Sequence, residues 1–359
     1  MADTRAATGL TVEQWDDKFF VEDIQENVFS ILYEQGENAA IQVKEDLSKK
    51  KGDNINFALL NRLTGDATEG SDTLEGQEED LTSRSHNVSV NKRRHGVLVP
   101  EMEEQKSAIG LREAAKPALK TWAQENTRDR IIRALGSVNG VAYASASEAA
   151  KDAWLADNAD RVLFGAARAN NASNDHSAAL ANIDSTNDVL KKGTLSLMKR
   201  LARTASPKIR PIQDKGNGKK VYIAYAHPFA MRDLRADMEA VLDDTTAAGQ
   251  AMRLFEGGDL LWDNIIIKEL EDMPVYSGVG GSGIDVAPVY LIGAQCIGFA
   301  TAKRWKTIEK RFDYDDKAGV AIEAIDGFDK LTFGTGAGDT DDQKDYGLVT
   351  GYMACVADA

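Results

Sequence analysis

Apolar positions recur at helical spacing in some stretches of this chain and alternate at strand spacing in others. Near the start, Thr11 and Gln14 form a capping box. Trp15, Phe19, Val21, Ile24, Val28, Ile31 and Leu32 then line one face, and Gly36 marks its end, so a helix is expected there. The strongest helical stretch is Pro100 to Leu135, rich in Ala, Leu, Glu, Gln, Lys and Arg. Pro100 suits a first turn, and Glu101, Glu103 and Glu104 sit where the helix dipole favours acids. Ala115, Leu119 and Trp122 continue the stripe, Ile131, Ile132 and Leu135 renew it, and Gly136 supplies a stop. Pro117 removes a backbone donor, which predicts a kink or a split.

Between these helices the period changes to two. Ile55, Phe57 and Leu59 alternate, Val88 and Val90 alternate, and His95 to Val99 runs largely apolar. The intervening residues Gly65 to Asp80 are polar and glycine-containing, so 54–99 reads as a long hairpin with a protruding tip. Such an arm cannot bury a core of its own. Further on, a short helix is expected near Ala149 to Leu155 and a longer one over Asp184 to Ala205, where Leu190, Leu195, Met198 and Leu201 share a face. Strands are expected at Lys219 to Ala226, Leu260 to Lys268 and Leu348 to Val356, a buried strand pair or bent strand at Pro288 to Thr301 and another strand pair at Val320 to Phe333, and a helix opens at Pro228. Strands and helices mix without βαβ regularity, so the fold class is α+β.

Length and charge narrow the picture. A chain of 359 residues is long for one core, so more than one substructure is expected. The net charge is -14 and the pI about 4.9, which argues against a dedicated nucleic-acid binder. Asp66, Glu69, Asp72, Glu75, Glu78, Glu79 and Asp80 crowd the hairpin tip without a basic residue among them. Lys49, Lys50 and Lys51, and Lys92, Arg93 and Arg94, are candidate counter-charges, either simply solvated or reached by the acidic arm of another copy. Cys296 and Cys355 stand among apolar residues and read as buried thiols. The N-terminus lacks a signal-peptide core, and Val289 to Ala302 is too short and broken to span a bilayer, so a soluble cytoplasmic product is expected.

Catalytic and ligand motifs fail on context. His86, His95, His176 and His227 are scattered without metal-ligand spacing, so no metal or cofactor is expected. The glycines of Gly278 to Gly283 are not followed by a helix start and read as a turn. Asp313, Asp315 and Asp316 near Glu323 have calcium-loop composition, but Gly319 is misplaced for an EF-hand. The acidic loop from Gly334 offers oxygen ligands and reads as solvated. Trp305 among Lys303, Arg304 and Lys306 reads as a strand edge with flanking charges.

Several segments resemble tailed-phage major capsid proteins, and more narrowly the branch named for coliphage N-four. They are LTVEQWDDKFFVE, AIQVKEDLSKKKGDNINFALLNRLTG, EEQKSAIGLREAAKPALKTWA, KDAWLADNADRVLFGA with NNASNDHSA, FEGGDLLWDNIIIKE and GLVTGYMACVADA. The resemblance implies the Hong Kong 97-type capsid fold. Residues 1–53 would form an N-terminal arm, 54–99 the E-loop, and 100–139 the spine helix of a peripheral domain. Residues 140–297 would form the axial domain, and 298–359 would return to the peripheral sheet. It further implies no enzyme activity and self-assembly into pentamers and hexamers of an icosahedral head enclosing double-stranded DNA without specific binding. Portal, scaffold and decoration proteins are the implied further partners. The competing readings are an acidic α+β enzyme using Gly278–Gly283 as a ligand cradle, and a non-viral compartment shell of the same fold.

Overall fold

Some strands of the computed structural model alternate buried and exposed positions and others are buried throughout. The structure describes residues 28–29, 32–45, 52–60, 63, 65–70, 73–80, 83–107, 110–213, 218–247, 255–256, 259–334 and 342–358. The chain opens with β1 (Tyr33–Glu34), β2 (Ile41–Lys44), β3 (Asn54–Leu60), β4 (Ser83–Ser89) and β5 (Asn91–Pro100). The helices α1 (Glu101–Lys106), α2 (Leu111–Leu135) and α3 (Glu148–Asp157) follow, then β6 (Val162–Phe164), α4 (His176–Ala181) and α5 (Lys192–Thr204). Next come β7 (Ile212–Gln213), β8 (Lys220–Ala226), α6 (Pro228–Ala247), β9 (Phe255–Glu256), β10 (Asp259–Trp262) and β11 (Ile265–Glu269). The chain closes with β12 (Val286–Ile292), β13 (Ile297–Phe312), β14 (Lys317–Lys330), β15 (Thr332–Phe333), β16 (Lys344–Asp345) and β17 (Leu348–Ala354).

The chain divides into two units. One holds Lys92–Arg128 and Lys303–Ile325, and the other Phe29–Asn91, Asp129–Ala302 and Asp326–Ala359. The first is built on α2, whose Ala115, Leu119 and Ala123 pack with Val320 and Ile322 of β14. Gly96 of β5 lies so close to β14 that a Cβ there would stand 3.1 Å from that of Ala321.

The larger unit is centred on a mixed sheet of order β6-β17-β12-β8-β11-β10-β9, with β7 paired to β8. Along β17 the side chains part to opposite faces, as the two-residue period requires. Val349 and Met353 join Leu195, Met198 and Leu201 of α5 and Leu234 and Met238 of α6. Tyr352 and Ala354 join Trp154 and Leu155 of α3, Phe164, and Leu180 of α4. Helices therefore cover both faces, which explains why β12 and β17 are buried at every position.

Several expectations need correction. The helical stretch from Pro100 breaks at Ser107, which is extended, and not at Pro117, which α2 contains. Pro100 caps α1 and does not enter its first turn. Proline removes a single ladder bond, which the packed Ala115–Leu119–Ala123 face outweighs. Gly110, a poor helix former, instead marks the restart, accepting the Ala114 N–H at 2.9 Å. The expected N-terminal helix lies mostly outside the described residues, and its end is a strand, with Tyr33 paired to Ile41 in parallel. The hairpin returns through β4 alone, since β5 neighbours β14. Helix α5 starts at Lys192 and not Asp184, because Asp184 folds an Asx turn onto Thr186 and Asn187. Leu260 to Lys268 is a hairpin, turning at Asp263 and Asn264, both at positive φ. Val320 to Phe333 is one long strand and a two-residue strand, and the helix from Pro228 runs on to Ala247.

A buried polar node ties the larger unit together. Lys330 Nζ reaches Asp345 Oδ2 at 2.7 Å and donates to the Ser137 carbonyl at 2.6 Å. Trp154 Nε1 donates to the same carboxylate, and Arg161 to the Asp345 carbonyl at 2.6 Å. Lys330→Met strands the Asp345 charge, so a loss of about 3–5 kcal/mol is expected in chemical denaturation of the unassembled chain. The double variant Lys330→Met/Asp345→Leu should recover over half of it. A single-variant cost below about 1 kcal/mol, the size of a surface pair, would show the node to be incidental.

Candidate assembly surfaces

The β3–β4 ribbon is apolar at its base and exposed at its tip. Ile55 and Phe57 of β3 and Val88 of β4 are buried with Ala300, Leu331 and Phe333. Gly298 makes room, since a Cβ there would stand 3.1 Å from the Phe57 ring. Gly327 is tighter still, because its Cβ would lie 2.0 Å from the Ser89 carbonyl oxygen. Lys44 Nζ donates to the Asn56 carbonyl at 2.9 Å and lies over the Phe57 ring. His86 reaches Asp329 Oδ2 at 3.2 Å.

Beyond Leu60 every described residue up to Asp80 is exposed. Asp66, Glu69, Glu75, Glu78, Glu79 and Asp80 all lie in this loop, whereas Asp72 falls outside the described residues. The loop holds itself by short local bonds: Gly65 N–H donates to Glu79 Oε2 at 2.6 Å and Gly76 N–H to Glu78 Oε2 at 2.7 Å. Leu60, Leu63 and Leu74 are 63%, 54% and 61% exposed, a density of bare leucine that a lone ribbon does not require.

The smaller unit has its own bare apolar set. Val97 and Leu98 on β5, Met102 on α1, and Ile308, Phe312 and Tyr314 around the β13–β14 turn are all exposed. Tyr314 stands at the tip between Asp313 and Asp315, all three at positive φ. Among the described residues β5 is also the last strand of its sheet, with order β1-β2-β13-β14-β5.

The basic tracts prove to be engaged in part. Lys92 Nζ meets Glu323 Oε2 at 2.9 Å, and Lys303 takes the other oxygen. Arg93 donates to Asn126 Oδ1 at 2.8 Å and lies over Trp305. Trp305 meets Trp122 edge-on at 6.1 Å, and His95 stacks on Trp122 at 4.5 Å. The tryptophan amid basic residues is therefore a packing residue of this unit. Arg94 is exposed, while Lys49, Lys50 and Lys51 lie outside the described residues.

The remaining sequence motifs have ordinary structural partners. Gly278 N–H donates to Asp285 Oδ1 at 2.9 Å, and Gly281 approaches the Ile183 carbonyl so closely that a Cβ would lie 2.9 Å from it. That segment is a tight turn against its own unit. A cleft of about 600 Å³ in the larger unit is lined by Asp129, Arg133, Tyr143, Asp272 and Tyr276, not by these glycines. Asp313 pairs with Lys317 at 2.7 Å, so the calcium-like aspartates cap a hairpin. Cys296 and Cys355 are buried, and burial raises both thiols, Cys355 to about 11. No helix among the described residues is long and apolar enough to cross a membrane. One cluster escaped the sequence reading: Glu148, Asp152 and Asp175 converge where α3 meets α4. A search for ligands within one short motif misses it, since the residues come from two helices.

Comparison with known proteins agrees with the expected fold. The family described as "Phage capsid protein" matches residues 3–357. The major capsid protein of Pseudomonas phage KPP25 is 29% identical over 336 residues, covering 88% of each chain. Among solved structures, the cyanophage Pam1 capsid asymmetric unit matches with a TM-score of 0.87 and 29% identity, over 100% of both chains. The capsid of Ralstonia phage GP4 matches with a TM-score of 0.77 and 22% identity, again over 100% of both. The narrower N-four branch rests on the quoted sequence segments alone.

Two caged carboxylates predict how the smaller unit responds to acid. Hydrogen bonds from Lys303 and Lys92 hold Glu323 down to about 2, and those from Lys116 and Arg112 hold Glu309 down to about 2. Both start from 4.5, so their contribution is whole above that pH and vanishes as pH falls towards 2. Glu309→Gln/Glu323→Gln should be less stable than wild type at pH 7, with the gap closing between pH 4.5 and 2. Parallel stability–pH curves for the two proteins would refute the assignment.

Proposed function

The chain belongs to the phage capsid protein family, and from that premise we propose how its surfaces build a head. It is a major capsid protein of the α+β Hong Kong 97-type fold, a structural component of the virion capsid and not an enzyme. In the proposed assembly its principal partner is itself. Pentamers and hexamers close through heterologous contacts, in which one patch of a subunit meets a different patch of the next. The resulting icosahedral head encloses double-stranded DNA, and the net charge of -14 keeps the genome from sticking to the shell. A portal, and a scaffold or decoration protein, complete the set, with assembly in the host cytoplasm.

The division into arm (1–53), E-loop (54–99), spine helix (100–139), axial domain (140–297) and return strands (298–359) is carried over as part of this proposal. The observation that carries it is the β3–β4 ribbon: anchored by Ile55, Phe57 and Val88, it ends in an exposed acidic loop with bare leucines. A two-stranded ribbon gains little by exposing such a tip to water. Laid over a neighbour, it buries Leu60, Leu63 and Leu74 at roughly 1.5–3 kcal/mol each if covering is complete. The acidic residues Asp66, Glu69, Asp72, Glu75, Glu78, Glu79 and Asp80 then face basic residues of the neighbouring copy. Lys49, Lys50, Lys51 and Arg94 are the first candidates, with Lys92 and Arg93 available only by exchanging their present partners.

Glu75→Lys/Glu78→Lys/Glu79→Lys should cut the yield of particles at least tenfold while leaving the unfolding curve of the free chain unchanged. Sedimentation and electron microscopy of the expressed protein read the first, and circular dichroism the second. Normal particle yield would remove the acidic contact from the proposal. Wild-type protein that stays a small oligomer under every assembly condition tried would remove the proposal itself.

A further inference from the structure

One stretch of this acidic chain is strongly basic. Of the 22 residues from Lys199 to Lys220, eight are Lys or Arg and one, Asp214, is acidic, whereas the whole chain has 43 basic and 57 acidic residues. The fold gathers this charge where α5 ends. The Ile209 N–H donates to the Ala202 carbonyl at 2.9 Å, which turns the chain back against the helix. The Tyr222 hydroxyl donates to the Ile209 carbonyl at 2.9 Å and has Arg203 beside it. Lys220 stands two residues before Tyr222 on β8 and so shares its face, the one that packs on α5. Arg200 lies three residues before Arg203, on the same side of the helix.

Arg200, Arg203, Lys208, Lys219 and Lys220 are all exposed, and none forms an ion pair among the described residues. The carboxylates that border the patch are engaged elsewhere. Asp263 meets Lys199 at 2.5 Å, Asp160 meets Arg161 at 3.1 Å, and Glu37 meets Arg210 at 3.7 Å. At physiological salt the Debye length is about 8 Å, so acids further off are screened and local charge decides what binds. The patch is also polar. Among the described residues no large apolar side chain between 142 and 307 is exposed. A contact between proteins centres on apolar groups and sheds charge, whereas a nucleic-acid contact is polar and cationic.

We propose that Arg200, Arg203, Lys208, Lys219 and Lys220 bind the phosphate backbone of duplex DNA, as a local contact between shell and genome. The inference rests on reading the chain as a shell subunit. The arginines can fork two phosphate oxygens, and the lysines act as point charges. Contacts of this kind fix position and carry no sequence information. The net charge of -14 repels DNA from most of the surface, and this patch holds it at one place.

The probe is a short mixed-sequence DNA duplex, titrated into DNA-free, unassembled, full-length protein at several salt concentrations and read by fluorescence anisotropy. Five phosphate contacts predict a slope of log K against log salt of roughly -4.5, at about -0.9 per contact. Arg200→Gln/Lys208→Gln/Lys220→Gln should make the slope shallower by about 2.7 and weaken binding at low salt by about 10-fold or more. Lys120→Gln/Lys306→Gln/Lys310→Gln removes the same charge from exposed positions of the smaller unit and should leave affinity within about twofold. Both triple variants should melt like wild type. Equal losses in the two variants, or a slope near zero for the wild type, would overturn the inference. So would a patch variant that binds DNA normally but no longer binds a peptide of the ribbon-tip sequence Gly65 to Asp80, which would make the patch a contact between copies. A wild-type chain that assembles yet ignores DNA sinks this inference and leaves the shell reading intact, and one that binds DNA through the patch yet never assembles does the reverse.

Discussion

The Lys330–Asp345 pair is the constraint on which the larger unit turns. Both side chains are essentially dry, at 1% and 2% exposure, and an isolated charge at such depth is prohibitive. The pair is tolerated because its surroundings supply most of the hydrogen bonding, although Asp345 Oδ1 has no partner among the described residues. Ser137 follows α2, Trp154 and Asn158 belong to α3 and its end, and Arg161 precedes β6. Arg161 also holds the Ser206 carbonyl at 3.0 Å, beyond the end of α5. Segments far apart in sequence must therefore arrive together before any of these charges is satisfied. Apolar replacement of a buried pair is often close to neutral for stability, so the distinctive demand of this one is that these particular segments meet.

That interior economy contrasts with the exterior. The larger unit hides Tyr222, Tyr225, Tyr290 and Trp154 almost completely, yet Leu60, Leu63 and Leu74 are bare, with no second layer over them among the described residues. A chain that packs its interior this closely has no need to waste leucine on solvent. The exposed residues sit instead on the ribbon tip, on edge strand β5 and on the β13–β14 turn, places that a copy can reach. Lys92 and Arg93 complicate simple charge pairing, because Glu323, Asn126 and Trp305 already hold them. Contact between copies at those positions needs a change of partners, and a change of partners is a natural step where a shell has two packed states.

Much of the fold was legible because its signals are local. The Ile55–Phe57–Leu59 alternation, the Leu195–Met198–Leu201 face and the stop at Gly136 each depend on a few neighbouring residues. Gly136 has an added reason that only the fold reveals: a Cβ there would stand 2.7 Å from the Tyr290 hydroxyl. The errors came where tertiary packing or turn chemistry won. The α2 face outweighed Pro117, and Asp263-Asn264 bent an apolar run that looked continuous. The run Asp184-Ser-Thr-Asn-Asp188, whose side chains bond their own backbone, argues against a helix there, as does the aspartate poised to cap its own turn. Family membership was readable from long matching segments, whereas no single residue of the chain announces a contact with another copy.

The acidic seam between α3 and α4 shows why that last limit is physical. Charge on the ribbon tip is written in one contiguous run, so composition alone exposes it. Charge at the seam is divided between two helices, so no single run of sequence shows it. Sequence distance hides such a cluster in the same way that it hides Lys330 from Asp345. At Lys330 and Asp345 the chain brings opposite charges together at a cost that only the assembled interior can offset.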